Sequence, residues 1–368
     1  MDFEVVVIGA GVVGLSIGAR LSQSFDNVVV IEKHEKFGQE TSSRNSEVVH
    51  SGIYYPQNSI KAKLCVKGQK QLYEYCKSKE IPYKKTGKFI IAKNESEIEY
   101  LENLLQRAKK NGARGRIISA RELKSYEPNL EALKALYFPD TGVVDSYSLM
   151  KSLESEIFVN GAQVVYKSEV TNIRKIENGY EITVVDDSGD FKFTSRVVIN
   201  SAGLYADKVS AMLGLDLPEY EISFWKGEYF AIGNGKNKLV KSLIYPVPNE
   251  NKGLGIHTTV DINGGVKLGP SAFYNDKENF DYKVNPDNLE KFYQSAKSFL
   301  PFIEREDLHP DQAGIRPKLT KTGKDFRDFI IKNETDKGLL NFINLIGIES
   351  PGLTATLAIA EYVESLIY

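Results

Sequence analysis

The sequence predicts an α/β protein in which a discontinuous βαβ-type domain carries an inserted, mixed and mostly antiparallel β domain. Three observations lead there. Asp2–Glu32 reads as strand, glycine-rich turn, helix and strand; Arg196–Gly203 is a second apolar strand that ends in small residues; and 221–269 is dominated by strand-like runs bounded by Pro and Gly. At 368 residues the chain also suggests about two domains. The expected division gives 1–80, 145–215 and 330–368 to the first domain and 81–144 and 216–329 to the second.

In chain order, Val5–Ile8 is a continuous apolar run of the kind a strand buried on both faces needs. Gly9-Ala-Gly11-Val-Val-Gly14 follows, then a helix expected over Leu15–Ser24, with Val13, Ile17 and Leu21 on one face, and a strand at Val28–Ile31. A lone GxGxxG is weak, but here a strand precedes it, a helix follows, and Glu32 closes the unit. In a dinucleotide site Gly9 permits the tight turn, Gly11 lets backbone N–H groups approach a pyrophosphate, and Gly14 lets the helix pack close to the sheet. Glu32 would accept hydrogen bonds from a ribose, and its charge disfavours a 2′-phosphate.

Residues 41–55, TSSRNSEVVHSGIYY, are dense in hydrogen-bonding groups. Beyond them, Cys65 and Cys76 lie eleven residues apart in a helix-like run, which suits one buried face better than a disulfide. Pro82–Ala92 reads as strand and Glu95–Gly112 as a helix with a charged outer face. Gln163–Val185 alternates apolar and polar residues around turn signals at Asn178-Gly179 and Asp187-Ser188-Gly189, predicting a meander. Asn285–Leu300 returns to helical spacing. Near the C-terminus, Ser350 reads as an N-cap with Pro351 at the first helical position, and the small residues after them would let another group approach the positive end of a helix.

The totals exclude several classes. With 47 basic and 49 acidic residues the net charge is −2, which gives no field to attract nucleic acid. Met1–Glu4 run straight into a strand, so no signal peptide is expected. The longest apolar run, Val5–Ala19, is broken by glycines and is short of the roughly 20 residues that span a bilayer, so any membrane contact is expected to be peripheral. Two cysteines without a CxxC pair fit a reducing compartment. A cytoplasmic protein is expected, with peripheral contact at the inner membrane face left open, and no metal.

Several stretches together resemble flavoproteins of the D-amino acid oxidase superfamily, most closely the L-2-hydroxyglutarate dehydrogenase/oxidase group. They are VVIGAGVVGLS, SSRNSEVVHSGIYY, KAKLCVKGQ, TGVVDSYSL, VINSAGLYAD, IYPVPNENKGLGIHTT, GVKLGPSA, AGIRPKL and GIESPGLTA, and they span nearly the whole chain in order. Glycerol-3-phosphate dehydrogenases look similar around SSRNSEVVH, and glycine-oxidase-type enzymes around AGIRP. The resemblance implies a discontinuous Rossmann-like FAD-binding domain, of the glutathione-reductase-like superfamily, with an inserted substrate domain. It also implies that Ser42, Ser43, Arg44, Asn45 and Ser46 line FAD, with Val170, Ala202, Gly203 and Gly314 as further cofactor contacts. Pro351, Gly352, Leu353 and Thr354 would stand near the flavin pyrimidine.

Oxidising a 2-hydroxy acid needs a base for the hydroxyl proton, a carboxylate clamp and an electron acceptor, which FAD supplies. Arg316 is the expected clamp, because a guanidinium holds a carboxylate with two parallel hydrogen bonds. His50 and His257, two of only four histidines, fall in shared motifs and are the expected bases or orienting groups, whereas His34 and His309 read as incidental. Tyr54, Tyr55, Lys226 and Tyr245 are weaker candidates for a distal carboxylate. The chain departs from the resembled group in two places: Lys226 stands where an arginine is usual, and Ser350-Pro351-Gly352-Leu353-Thr354 stands where Ser-Pro-Ala-Ala-Thr is usual. The exact substrate is therefore open. Amine or amino acid oxidation, glycerol-3-phosphate oxidation and flavin binding without turnover are the competing readings. The electron acceptor is open among oxygen, a quinone and an electron-transfer protein.

Overall fold

In the central sheet, Phe3–Ile8 pairs in parallel with Val28–Ile31 on one side and with the end of Gly189–Asn200 on the other. Gln163–Val165 extends the sheet beyond Val28–Ile31, and Phe342–Ile346 extends it beyond Asn200, both in parallel. Every residue of Val28–Ile31 and Phe342–Ile346 is buried, as expected for strands covered on both faces. This computed structural model describes residues 1–248, 255–275, 280–322 and 325–368. The centre of the motif Ile244–Thr259, residues 249–254, lies outside the described residues.

One face of the sheet is covered by the helices Val12–Leu21, Ile60–Ser78, Ser146–Val159 and Gly352–Glu364, whose apolar side chains merge with Val5, Val7, Val28 and Val30 into one core. The antiparallel meander Glu169–Ile176 and Gly179–Asp186 joins the same sheet through the long strand Gly189–Asn200, and its apolar residues and those of the short helix Ala206–Ala211 form a second core with Val6, Ile8, Val29 and Ile31. Alternate residues of the same two strands thus feed opposite cores, as a strand's period of two requires. Cys65 and Cys76 are free and buried on the helix Ile60–Ser78. Among the described residues no helix is long and apolar enough to cross a membrane.

A third core belongs mainly to 89–143 and 230–308. In one of its sheets Ser223–Ile232 pairs antiparallel with Leu308–Lys318, Val266–Leu268 and Phe273–Asn275. In the other, Lys88–Ala92 lies between Leu243–Pro246, to which it is parallel, and Lys134–Phe138, to which it is antiparallel. The sheets are therefore mixed and mostly antiparallel.

Local boundaries differ from the sequence expectation for identifiable reasons. The first helix starts at Val12, not Leu15, because Gly11 in extended conformation (φ −70°, ψ 172°) already serves as its N-cap; Gly14 lies inside the helix. The expected strand Pro82–Ala92 is split into Tyr83–Lys84 and Lys88–Ala92, with the break at Gly87, whose φ is +72°. The helix expected from Asn285 to Leu300 becomes a 3₁₀ turn at Pro286–Asn288 and a helix at Leu289–Lys297. The C-terminal helix starts at Gly352 with Pro351 as its N-cap and no side-chain cap, so Ser350 does not cap it.

Candidate active site

A cavity of about 1730 Å³ runs from the glycine turn to the inserted domain. That exceeds the roughly 300–1,000 Å³ of an ordinary small-molecule site and suits a dinucleotide with a small acid beside it. At the first end, Gly9 holds φ +100°, and a Cβ there would come within 2.8 Å of the Ser201 carbonyl oxygen. A Cβ on Gly14 would sit 1.9 Å from the Gly9 carbonyl oxygen, so helix and turn touch backbone to backbone. Gly11 faces the cavity and has the Ser42 hydroxyl 3.0 Å from its Cβ position. The Glu32 carboxylate accepts the N–H groups of Ala10 at 2.8 Å and His34 at 2.9 Å, which fixes its rim position while leaving lone pairs for a ribose. Val170, Ala202 and Gly203 line the same stretch.

The hydroxyl-rich segment is used in two ways. Part of its capacity locks the segment to the inserted domain: Thr41 donates to the Ile315 carbonyl at 3.0 Å, and Gln312 donates to the Asn45 carbonyl at 2.9 Å. A Cβ on Gly314 would meet the Arg44 carbonyl oxygen at 1.9 Å, so the two backbones could not approach with any other residue there. The rest faces the cavity. Ser42 accepts from the Val12 N–H at the helix start, and Arg44 lies over the Tyr282 ring with its Nε buried and, among the described residues, unpartnered. Ser46 and Asn45 also line the cavity, although the Asn45 amide bonds back to the Ser42 carbonyl. Ser43 is not brought in: its exposed hydroxyl donates to the Glu40 carbonyl. A glycine cradle, a carboxylate at the rim and an unpartnered guanidinium edge match what FAD presents: a pyrophosphate, a ribose and a flavin with hydrogen-bond acceptors.

At the far end the strand Ser223–Ile232 turns Trp225, Gly227 and Tyr229 toward the cavity. Gly227 leaves room for Arg316, whose Nη2 would lie 3.3 Å from a Cβ at that position. Arg316 donates to the Ser271 carbonyl at 2.6 Å and keeps a buried Nε without a partner. Among the described residues it has no carboxylate partner.

His257 is buried and stacks on Tyr245, with ring centroids 3.7 Å apart and planes 19° apart. Its Nδ1 lies 2.9 Å from the Gly255 carbonyl oxygen, an acceptor only, so Nδ1 carries the proton and Nε2 is the basic nitrogen. His50 is partly open to the cavity and its Nε2 lies 3.1 Å from the Ser350 hydroxyl. Burial, with the Lys88 charge second, lowers both imidazoles to about 3. The Thr354 side chain holds the neighbouring backbone, accepting from the His50 N–H at 3.0 Å and donating to the Val48 carbonyl at 3.2 Å. Pro351, Gly352 and Leu353 line the cavity beside it, at the uncapped start of the last helix.

Tyr54, Tyr55 and Tyr245 line the cavity; the Tyr54 hydroxyl is buried and unpartnered. Lys226 corrects the sequence expectation. It occupies the opposite parity from Trp225 and Gly227, so it points to the other face of its strand, 3.3 Å from the buried Glu228 carboxylate and bonded to the Lys283 carbonyl. His34 lines the cavity near Glu40, and exposed His309 sits against Gly233.

Tyr229, Lys61, Lys318 and Glu349 were not singled out in the sequence. Burial pushes Tyr229 up to about 12, and Glu349 lies 3.0 Å from Lys61 and 3.8 Å from Lys318. Strand parity around Lys226 would have exposed Tyr229; for the Glu349 cluster only proximity in the fold gives a signal. Lys88, also missed, is buried behind Tyr54 and Tyr245.

Comparison with known proteins gives a consistent result. The family model described as FAD dependent oxidoreductase matches residues 4–366. L-2-hydroxyglutarate dehydrogenase, mitochondrial, of Arabidopsis thaliana is 40% identical, covering 98% of this chain and 82% of that protein. L-2-hydroxyglutarate dehydrogenase of Indibacter alkaliphilus is 33% identical, covering 98% and 97%. Among solved structures, L-α-glycerophosphate oxidase from Mycoplasma pneumoniae with FAD bound superimposes with a TM-score of 0.87 at 28% identity, covering 99% of this chain and 94% of that one.

Proposed function

The chain belongs to the FAD-dependent oxidoreductase family, and from that premise we propose that it oxidises L-2-hydroxyglutarate, or a closely similar 2-hydroxy acid, at C2. The observation that carries this reading is Arg316: a guanidinium at the cavity wall, held by one carbonyl, with a buried Nε and, among the described residues, neither a partner for that Nε nor a carboxylate beside it. A substrate carboxylate completes it. His50 and His257 are already neutral, and one of them takes the hydroxyl proton of the alcohol while the C2–O bond becomes a carbonyl. FAD, when bound, accepts the hydride that leaves C2.

In the same reading Gly9, Gly11, Gly14 and Glu32 receive the adenosine and pyrophosphate half of FAD. Ser42, Arg44 and Ser46 follow it toward the flavin, and the start of the helix Gly352–Glu364 offsets negative charge there. The domain division stated above accompanies this assignment, since the two cores on the central sheet and the third core around the inserted sheets fall close to it. A cytoplasmic location, with contact at a membrane face, also belongs to the proposal, and the free thiols Cys65 and Cys76 accord with a reducing compartment.

The likeness to a glycerophosphate oxidase favours one alternative, an alcohol carrying a phosphate in place of the carboxylate. Assaying L-2-hydroxyglutarate, its D-enantiomer, sn-glycerol 3-phosphate and glycine with an artificial dye acceptor separates the readings. The highest kcat/KM is expected for L-2-hydroxyglutarate, with 2-oxoglutarate as product. A higher value for the phosphate ester or for glycine would overturn the assignment.

A further inference from the structure

Lys88 is the first residue of the strand Lys88–Ala92 and is only 2% exposed. Pairing brings Ile90 opposite Tyr245, so Lys88, two residues from Ile90, shares the face of the sheet that carries the Tyr245 side chain. Its Nζ lies 3.4 Å from the centroid of the Tyr245 ring and 4.6 Å from that of Tyr54. Both rings line the cavity. Among the described residues the amine has no carboxylate within ion-pair distance and no hydrogen bond. The ring faces attract a cation but supply no counter-charge, and a buried ammonium left in that state is unfavourable.

Four other cations near the cavity are differently placed. Lys61 and Lys318 share Glu349, Lys226 faces away and pairs with Glu228, and Arg316 stands on the strand Leu308–Lys318. The Tyr54 hydroxyl, on a ring whose centroid lies 4.6 Å from the Lys88 Nζ, is a second unmet group, buried with no partner among the described residues. An unpaired cation and an unpaired donor behind one stretch of wall define the complement of a carboxylate. Burial draws the Lys88 pKa well below that of a free lysine, and an arriving anion would raise it again.

We propose that Lys88, with the Tyr54 hydroxyl, forms the subsite for the second carboxylate of a dicarboxylic 2-hydroxy acid and so selects such acids over monocarboxylic ones. This rests on the 2-hydroxy acid reading above and deepens it: Arg316 takes the carboxylate next to the reacting carbon, and Lys88 takes the distal one. Lys88 thereby assumes the role that the sequence suggested for Lys226.

The test compares wild type, Lys88→Met and Lys88→Arg on L-2-hydroxyglutarate and on L-2-hydroxybutyrate, which lacks only the distal carboxylate. In wild type kcat/KM is expected to favour the dicarboxylate by on the order of 10²-fold. Lys88→Met should erase most of that preference, chiefly through KM for the dicarboxylate, and Lys88→Arg should restore part of it. Retention of the full preference in Lys88→Met would overturn the proposal. Removing a buried unpaired charge favours folding; if Lys88→Met nonetheless fails to hold flavin, Lys88→Gln serves the same comparison. Should wild type turn over neither acid, the oxidation reading fails separately. Perturbation of the flavin spectrum by glutarate and by butyrate then tests the subsite, and equal binding of the two by wild type would overturn it.

Discussion

Arg316, His50 and His257 set the expected kinetics at the level of single side chains. In the unfolded chain each imidazole takes up its proton near 6.5, but in the folded protein only near 3. Between those values the unfolded state binds more protons, so stability falls as pH is lowered through that window and is fully present above it. Both groups stay neutral over the working range, so the anaerobic rate of flavin reduction should be nearly flat from about pH 5 to 8. A rate that climbs through an apparent pKa near 6.5 would contradict neutral imidazoles. Arg316→Met should lower kcat/KM by about 10²–10³-fold, the effect of truncating one partner of a desolvated charge pair. Lys226→Met should leave KM within about threefold while costing about 1–3 kcal/mol in urea unfolding, because it strips a partner from buried Glu228. The place of Arg316, His50 and His257 in the cavity wall was legible because each sits in a motif of the resembled family. Lys226 was misread because a motif places a residue along the chain but does not say which face of a strand it takes, and Lys88 was missed because it lies in none of the quoted motifs.

At the scale of elements, close backbone approach positions the site. A Cβ on Gly68, in the helix Ile60–Ser78, would lie 2.5 Å from the Thr354 carbonyl oxygen and 2.7 Å from the Ala355 Cα. That contact seats the start of the last helix, and the Thr354 hydroxyl in turn holds the His50 backbone. Gly68→Ala should therefore cost about 1–3 kcal/mol through overpacking and also weaken flavin retention. A variant with lowered melting temperature but unchanged FAD affinity would show that the packing does not reach the site. The first βαβ unit was legible because its strands are buried on both faces and its glycines have fixed spacing. The C-terminal cap was not: Ser350 has the composition of an N-cap, but its hydroxyl turns to His50 instead, a partner 300 positions away.

For the whole molecule, the cavity lies between two bodies of the chain that share few local sequence cues. The segment 41–47 links them through Thr41, Arg44 and Asn45 to the strand Leu308–Lys318. FAD should therefore stabilise the assembled fold: at about a thousand times its Kd the gain is about 4 kcal/mol, and the melting temperature of flavin-stripped protein should rise by several degrees on adding FAD. No rise would separate the cavity from the cofactor. The fold class could be read from strand and turn signals, whereas the joining of distant segments at one wall depends on register and twist that no local pattern records. The central claim, that this wall holds a 2-hydroxy acid with C2 against bound flavin, is met most directly by anaerobic mixing of the yellow protein with L-2-hydroxyglutarate, unlabelled and deuterated at C2. Bleaching of the flavin absorbance, slower with deuterium and accompanied by an equal amount of 2-oxoglutarate, is the predicted result; a flavin that stays oxidised with this acid, yet bleaches with dithionite, would contradict it.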